Sequence, residues 1–468
     1  MNRRRFSQLS TLGLAATALR GASAALAAAT EPPGQHSEQI KTSRGAWLKE
    51  ARFGTFISLD VSTVLGEDVI DQVMNGIPAD EYAKLKERFN PTEFSAEEWV
   101  GLFKDAGIRY VILTTKNISG FALWDTKLSD FSVMHSPFRR DICKELADEC
   151  HRQHMPLVFY YCFEDWHSPL YRPSLKQGTP VSQEFLNFMF GQVRELCTNH
   201  GELGYLLFDG DWNHTPAQWQ SDKLVEMVRK LQPKALVNNR LGTYNPERVA
   251  AWERDRLGDL STLEMSWTFI PVPKDPGRLW EFDSTLNDNW AYAEGDDRFK
   301  SAGHILRLLV ESVSRGGNYS VGIGPMPSGK FHPEVVARLR QVGQWLKRNG
   351  ESIYGAEGFE PLYYDNAFMT KRGDTFYLHL FDWAPGARCD LWTLGLKDAK
   401  RAYFLETGQP VEFMKKGAKR SYTLAAGEPA EFAFAGWEGS LRLLTRNTNP
   451  EPSPDTVIVF EGGVPLRG

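Results

Sequence analysis

From about residue 45 to residue 350 the chain alternates short β-rich apolar runs with amphipathic helical stretches, and few folds can accommodate that alternation. The apolar runs are Phe53–Leu59, Tyr110–Thr115, Pro156–Tyr161, Tyr205–Phe208, Ala235–Asn238 and Asn318–Ile323. Between them the spacing predicts helices. One opens with the capping box Ser95-x-x-Glu98 after Asn90-Pro91, and others run near Asp141–His154, Glu184–His200, Trp219–Leu231, Phe299–Arg315 and Pro333–Asn349. The alternation carries no helical repeat period. An all-parallel βα array of this size closes most readily into a (β/α)8-type TIM-like barrel, with its functional groups at the C-terminal ends of the strands. At 468 residues the chain exceeds one ordinary core, so a second, smaller unit is expected. After Gly350-Glu351-Ser352-Ile353-Tyr354-Gly355 the pattern turns alternating and turn-rich, as in Thr375-Phe376-Tyr377-Leu378-His379-Leu380. The expected division is a barrel over 31–355 and a C-terminal β-sandwich over 356–468. Within the latter, Asn447–Asp455, with Pro450, Pro452 and Pro454, reads as a loop or linker to a last strand, Thr456–Phe460.

Residues 1–30 are set apart. Asn2-Arg3-Arg4-Arg5-Phe6, an Ala/Leu-rich stretch and Ala25-Leu26-Ala27 or Ala27-Ala28-Ala29 read together as a twin-arginine export signal, hence a periplasmic or secreted product. Without the four arginines of that segment, 50 basic residues face 59 acidic ones, a balance of about −9 that disfavours nucleic acid and anionic membrane as partners. No other apolar run approaches bilayer length, so no membrane insertion is expected. The five cysteines, Cys143, Cys150, Cys162, Cys197 and Cys389, form no CxxC pair and no zinc spacing, and read as buried thiols. No dinucleotide glycine fingerprint and no iron–sulfur cysteine cluster occur, which removes a redox enzyme from consideration and leaves no cofactor and no metal expected. Self-association as a homo-oligomer stays open.

The chemistry is expected at the strand ends. Tyr205-Leu206-Leu207-Phe208 is an apolar run that a parallel strand buries, and Asp209 with Gly210 follows at once, at the catalytic rim; a loop-ordering aspartate at a βα junction would look the same. Ser58 and Asp60, Lys116 and Asn117, Tyr160 with Glu164 and Asp165, Arg240, and Glu264 emerge at comparable positions. Two carboxylates from different strands, about 5 Å apart, are what a double-displacement glycosidase requires: one attacks the anomeric carbon and the other protonates the leaving oxygen. An arginine beside one of them keeps it ionised for attack.

At these residues the chain resembles the glycoside hydrolase family 29 α-L-fucosidases. The likeness runs through Trp47–Phe56, Glu81-Tyr82-Ala83-Lys84-Leu85, Phe89-Asn90-Pro91-Thr92, Asp105-Ala106-Gly107, Thr114-Thr115-Lys116 with Gly120-Phe121-Ala122-Leu123-Trp124, and Arg140-Asp141. It continues in Tyr160-Tyr161, Asp165-Trp166, Phe208-Asp209-Gly210, Asn238-Asn239-Arg240, Trp280-Glu281, Trp290-Ala291-Tyr292, Gly316-Gly317-Asn318 and Ile323-Gly324-Pro325. The resemblance implies Asp209 as nucleophile, with Tyr160 and Arg240 lining the sugar subsite. Gly258-Asp259-Leu260-Ser261-Thr262-Leu263-Glu264 resembles the segment that carries the acid/base, which implies Glu264; Glu281 is its main competitor, followed by Glu253 and Glu164.

The departures bear on the substrate. Where the family has His-His-Asp-Gly-Phe after Thr-Lys, this chain has Asn117-Ile118-Ser119-Gly120-Phe121, and where it has a histidine after the first strand, this chain has Ser58. Those histidines bind sugar hydroxyls, so their loss alters the pocket. Trp124, Trp166 and Trp212 are candidates for an apolar wall, Glu281 lies among the candidate substrate contacts, and His135, His167 and His214 are weaker candidates for the missing hydroxyl ligands. Two functions compete: a retaining exo-glycosidase acting on a terminal α-L-fucoside or related L-sugar, and a secreted carbohydrate-binding protein that has lost hydrolysis on the same scaffold.

Overall fold

The computed structural model describes residues 44–176, 179–242, 258–264, 277–359, 364–391, 394–411, 413–415, 420–423, 429–432, 441–447 and 453–466. The proposed export signal, Glu253, Pro450 and Pro452 lie outside them. Eight strands form the main sheet: β1 (Phe53–Ile57), β2 (Tyr110–Lys116), β3 (Leu157–Cys162), β4 (Tyr205–Asp209), β5 (Leu236–Val237), β6 (Leu260–Glu264), β7 (Leu279–Thr285) and β8 (Asn318–Ile323). The sheet order is β5-β4-β3-β2-β1-β8-β7-β6, every pair parallel. A single parallel bridge, Asn238 to Leu260, spans the seam between β5 and β6 and closes the barrel.

Among the described residues six helices of ten residues or more pack outside: α1 (Ala96–Asp105), α2 (Ile142–Arg152), α3 (Gln183–Asn199), α4 (Ser221–Leu231), α5 (Ala302–Ser314) and α6 (Pro333–Asn349). Ser95, Asp141, Ser182 and Ser301 start α1, α2, α3 and α5 by accepting a backbone amide of the first turn that otherwise lacks a partner. Strand alternation decides which side chains go where. Phe56, Tyr110, Ile112, Val158, Tyr160, Tyr205, Leu207, Leu236, Leu260 and Leu279 fill the barrel interior as one buried cluster. Their strand neighbours Val111, Leu113, Phe159, Leu206, Phe208 and Val321 face outward onto Trp99, Leu146, Leu196, Leu224, Leu309 and Leu339 of the helices.

Two strands have no counterpart among the apolar runs of the sequence, β6 and β7. Their interior positions carry Thr262, Glu264, Glu281, Asp283 and Thr285, so polar groups point into the barrel and break up the hydrophobic run. The C-terminal region is antiparallel. Arg401–Phe404, Asp455–Glu461, Thr375–Phe381, Ala367–Arg372 and Glu357–Gly358 form, in that order, a five-stranded sheet, and Arg388–Leu391, Leu441–Arg446 and Phe413–Lys415 form a three-stranded one. One face of the larger sheet, with Phe368, Tyr377, Phe381, Val457 and Val459, joins the barrel's outer core. The other face, with Met369, Phe376, Leu378, Phe404 and Ile458, shares a second core with Leu391, Leu441 and Leu443 of the smaller sheet. All five cysteines are unpaired; four are buried and Cys389 is half-buried. Among the described residues no helix is long and apolar enough to cross a membrane.

Candidate active site

The last residue of β4 is Asp209. Because Tyr205 and Leu207 point inward and Phe208 outward, Asp209 points inward too, at the mouth, and it is buried. The chain then turns away through Gly210 in the left-handed region (φ 68°), where a Cβ would run into the Cys162 sulfur.

The strand end that carries Asp209 is held by a side chain. β5 is only two residues long, so its backbone ladder to β4 stops at Leu206. Asn238 then takes over: its Oδ1 accepts the Phe208 amide at 2.8 Å, and its Nδ2 donates to the Phe208 carbonyl at 2.9 Å and to Thr262 Oγ1 on β6 at 3.0 Å. Asn239 Oδ1 accepts the Thr262 amide at 3.1 Å. The two asparagines thus splint β4, β5 and β6 at the height where the carboxylates emerge.

Arg240 completes the cluster. Its Nη1 lies 2.7 Å from Asp209 Oδ1 and 2.5 Å from Glu264 Oε1, the last residue of β6. One nitrogen touching both acids keeps those two oxygens no more than about 5 Å apart, closer than the roughly 6.5–9.5 Å that separates the carboxyl groups of inverting glycosidases. Asp209 Oδ2 accepts the Tyr160 hydroxyl at 2.9 Å. Burial alone would lower the Arg240 pKa, but Glu264 and Asp209 outweigh it and hold the guanidinium charged. Burial, then the Asp209 charge, pushes the Tyr160 phenol far up, so it stays a donor. Glu264 differs from Asp209 in access: its side chain is 38% exposed against 10%.

Of the candidate residues, Asp209, Glu264, Arg240 and Tyr160 are brought together. Trp212 and Trp166 are half-buried and pack against the interior cluster. Trp166 donates its Nε1 to Glu164 Oε2 at 2.9 Å; Asn213 donates to the other oxygen at 2.6 Å, and burial raises the pKa of this carboxyl. Ser58 is buried at the end of β1, and Asn117 uses its Oδ1 to accept the Ile118 amide at 2.7 Å. The structure does not bring Trp124 to the mouth: it is fully buried in the outer core and donates to Glu195 of α3 at 3.0 Å. Nor does it bring Glu281 there. That residue sits third in β7, deep in the barrel, and accepts both the Tyr110 and Tyr205 hydroxyls. The histidines are engaged elsewhere: His135 with Asp130, His167 stacked on Phe131, and His214 edge-on to Trp219.

Three residues not singled out as site candidates in the sequence belong with this cluster. Asn238 is one, and its signal was its place beside Arg240. The others are Phe56 and Trp290, which form an aromatic wall: Phe56 lies edge-on to Tyr160 at 5.5 Å between ring centroids and 5.2 Å from the Trp290 ring. Among the described residues no group of three His, Cys, Asp or Glu could hold a metal ion.

Comparison with known proteins follows the same lines. The model of the family described as Alpha-L-fucosidase matches residues 22–351. The alpha-L-fucosidase of Dictyostelium discoideum is 26% identical over 358 residues, covering 72% of this chain and 74% of its own length. The tissue alpha-L-fucosidase of Homo sapiens is 27% identical over 370 residues, with 72% and 76% covered. Among solved structures, alpha-L-fucosidase isoenzyme 1 from Paenibacillus thiaminolyticus is 29% identical and superposes with a TM-score of 0.75, covering 91% of this chain and 99% of that one.

Proposed function

Since the chain belongs to the alpha-L-fucosidase family and is a glycoside hydrolase, we propose that it removes a terminal α-L-fucoside, or a related L-sugar, with retention of anomeric configuration. Asp209 is the nucleophile and Glu264 the acid/base. The observation that supports this reading is the single Arg240 nitrogen shared by two carboxylates, which keeps their facing oxygens within about 5 Å and favours double displacement over the wider inverting arrangement.

The arrangement supports a charge cycle. Two carboxylates facing one guanidinium leave one negative charge over, and a single proton neutralises it. As acid/base, Glu264 is the one of the two with access to the mouth, from which that proton can exchange with solvent. In the first step an Asp209 oxygen attacks the anomeric carbon, the glycosidic C–O bond breaks, and Glu264 gives its proton to the departing oxygen. The ester at Asp209 is uncharged, so Arg240 is left to pair with the Glu264 carboxylate, which is the base the second step needs. Water then attacks the anomeric carbon, Glu264 takes its proton, and Asp209 leaves as the carboxylate that Arg240 and Tyr160 stabilise. Phe56, Tyr160 and Trp290 supply an apolar wall suited to a deoxysugar methyl or a ring face.

Proton NMR of the first product released from an aryl α-L-fucoside tests this reading. The α-anomer is expected to appear first and the β-anomer only by mutarotation; the β-anomer first would contradict it. Saturable binding without turnover across aryl glycosides and natural oligosaccharides would point to the carbohydrate-binding alternative. Export rests on the sequence of residues 2–29 alone. Replacing Arg3, Arg4 and Arg5 with lysine is expected to strand the protein in the cytoplasmic fraction, and unchanged export would contradict that part.

A further inference from the structure

The loop after β1 contains a helical turn built inside out. In Asp71–Met74 and the residue before it, Ile70, Val73 and Met74 fall at i, i+3 and i+4, one face of the turn, and they are 37%, 58% and 47% exposed. The polar Gln72, on the other side, is buried at 5%. Folding alone favours the reverse, because apolar area left in water gains nothing and a buried amide must be hydrogen-bonded. Nor is this a stray exposed residue. Of the seven large apolar side chains exposed among the described residues, only Val464 lies away from the loops that follow β1, β2 and β3; the others are Ile70, Val73, Met74, Leu128, Leu170 and Leu175. Apolar side chains gathered on one face mark a binding surface.

Its place in the fold says what it binds. Asp68, two residues before Ile70, accepts the Ala291 amide at 3.0 Å, and the Gly66 carbonyl accepts the Glu294 amide at 2.8 Å, so the turn is fastened to the loop that carries Trp290. Trp290 packs on Phe56, Phe56 on Tyr160, and the Tyr160 hydroxyl binds Asp209. A contact path therefore runs from the nucleophile to the exposed turn. The loop after β3, with Leu170 and Leu175, is tied to the same β1 loop by Arg172 and Asp80 at 3.7 Å. Oligosaccharide leaving groups are held by hydrogen-bond donors, acceptors and flat aromatic faces, whereas the face of this turn formed by Ile70, Val73 and Met74 is aliphatic and thioether.

Resting on the hydrolase reading above, we infer that the site takes glycosides whose leaving group is apolar, an alkyl or fused-ring aglycone, and that Ile70, Val73 and Met74 form its contact surface. A series of alkyl α-L-fucosides from methyl to octyl tests this, because simple alkanols differ little as leaving groups and the trend reports contact rather than chemistry. Wild-type kcat/KM is expected to rise by about twofold per methylene, half of the roughly fourfold that full burial of one CH2 gives. In the triple variant Ile70→Ser/Val73→Ser/Met74→Ser the rise should vanish while the methyl glycoside reacts within twofold of wild type. A flat series in the wild type, or an undiminished slope in the variant, overturns the inference and leaves hydrolysis standing. A flat series with wild-type dimers that become monomers in the variant, by sedimentation velocity, would assign the turn to a second copy of the chain instead. No turnover of any member by either protein would overturn the hydrolase reading and this inference with it.

Discussion

Two pairs of carboxyl groups share the interior of one barrel and are held in opposite ways. At the mouth, Asp209 and Glu264 divide the guanidinium of Arg240. On the neighbouring strand Asp283, level with Glu264, and Glu281, two residues deeper, are fully enclosed and are held by hydroxyls: Tyr110 and Tyr205 donate to Glu281, and Ser320 donates to Asp283. Burial pushes Glu281 up to about 7, and burial with the neighbouring Glu281 pushes Asp283 well above the usual carboxylate range. The partner, more than the presence of two acids, decides what a pair can do. A cation at a solvent-accessible mouth holds charge ready for attack and lets protons exchange. In the enclosed pair burial favours the protonated form, and the hydroxyl donors, which favour the carboxylate, offset only part of it.

If that contrast is right, removing one acid from each pair has unequal consequences. Asp209→Ala should lower kcat by about 10⁴-fold or more, and external azide should restore part of it as an inverted glycosyl azide. Glu281→Gln should stay within tenfold of wild type in the same assay. Equal losses in the two variants would break the comparison. Glu264→Gln should cost about 10²- to 10⁴-fold on alkyl glycosides, whose leaving groups need a proton, and far less on a 2,4-dinitrophenyl glycoside, which does not. A uniform loss across both substrates would remove Glu264 from the acid/base role.

The smallest effect concerns stability. Glu281 binds its proton more tightly in the folded chain than in the unfolded one, since its folded pKa of about 7 exceeds the ordinary 4.5. Between those values the native state holds more protons, so stability falls as pH rises from about 4.5 to about 7 and is level above that. The loss is on the order of 3 kcal/mol. Thermal denaturation at pH 5 and pH 8 should therefore show a smaller drop in Tm for Glu281→Gln than for wild type; identical drops would mean the enclosed pair does not titrate as described.

The mouth was more legible in the sequence than the enclosed pair, for a physical reason. Asp209 and Arg240 follow apolar runs that only a buried parallel strand explains, and Tyr160 sits inside one, so their positions could be read from hydrophobicity. β6 and β7 could not, because inward-facing Thr262, Glu264, Glu281 and Asp283 interrupt the apolar signal. The same interruption hid what separates Glu264 from Glu281. One ends its strand and the other is third in its own, a difference in height that only the register between β6 and β7 reveals. Tryptophans pose the same problem: Trp124 and Trp290 both lie beyond strand ends, yet one faces α3 and the other faces Phe56. Asn238 was visible as a residue, but its splinting role depends on β5 being too short to pair with Phe208.

The central claim is that Asp209 bonds covalently to the sugar. Incubation with 2-deoxy-2-fluoro-α-L-fucosyl fluoride, whose fluorine slows breakdown of the ester, followed by intact-mass measurement and peptide mapping, tests it most directly. One fluorosugar per chain, carried by the peptide that contains Asp209 and absent from Asp209→Ala, is the predicted result. A label on any other carboxylate, or fluoride release with no trapped adduct and an inverted product, would contradict the account.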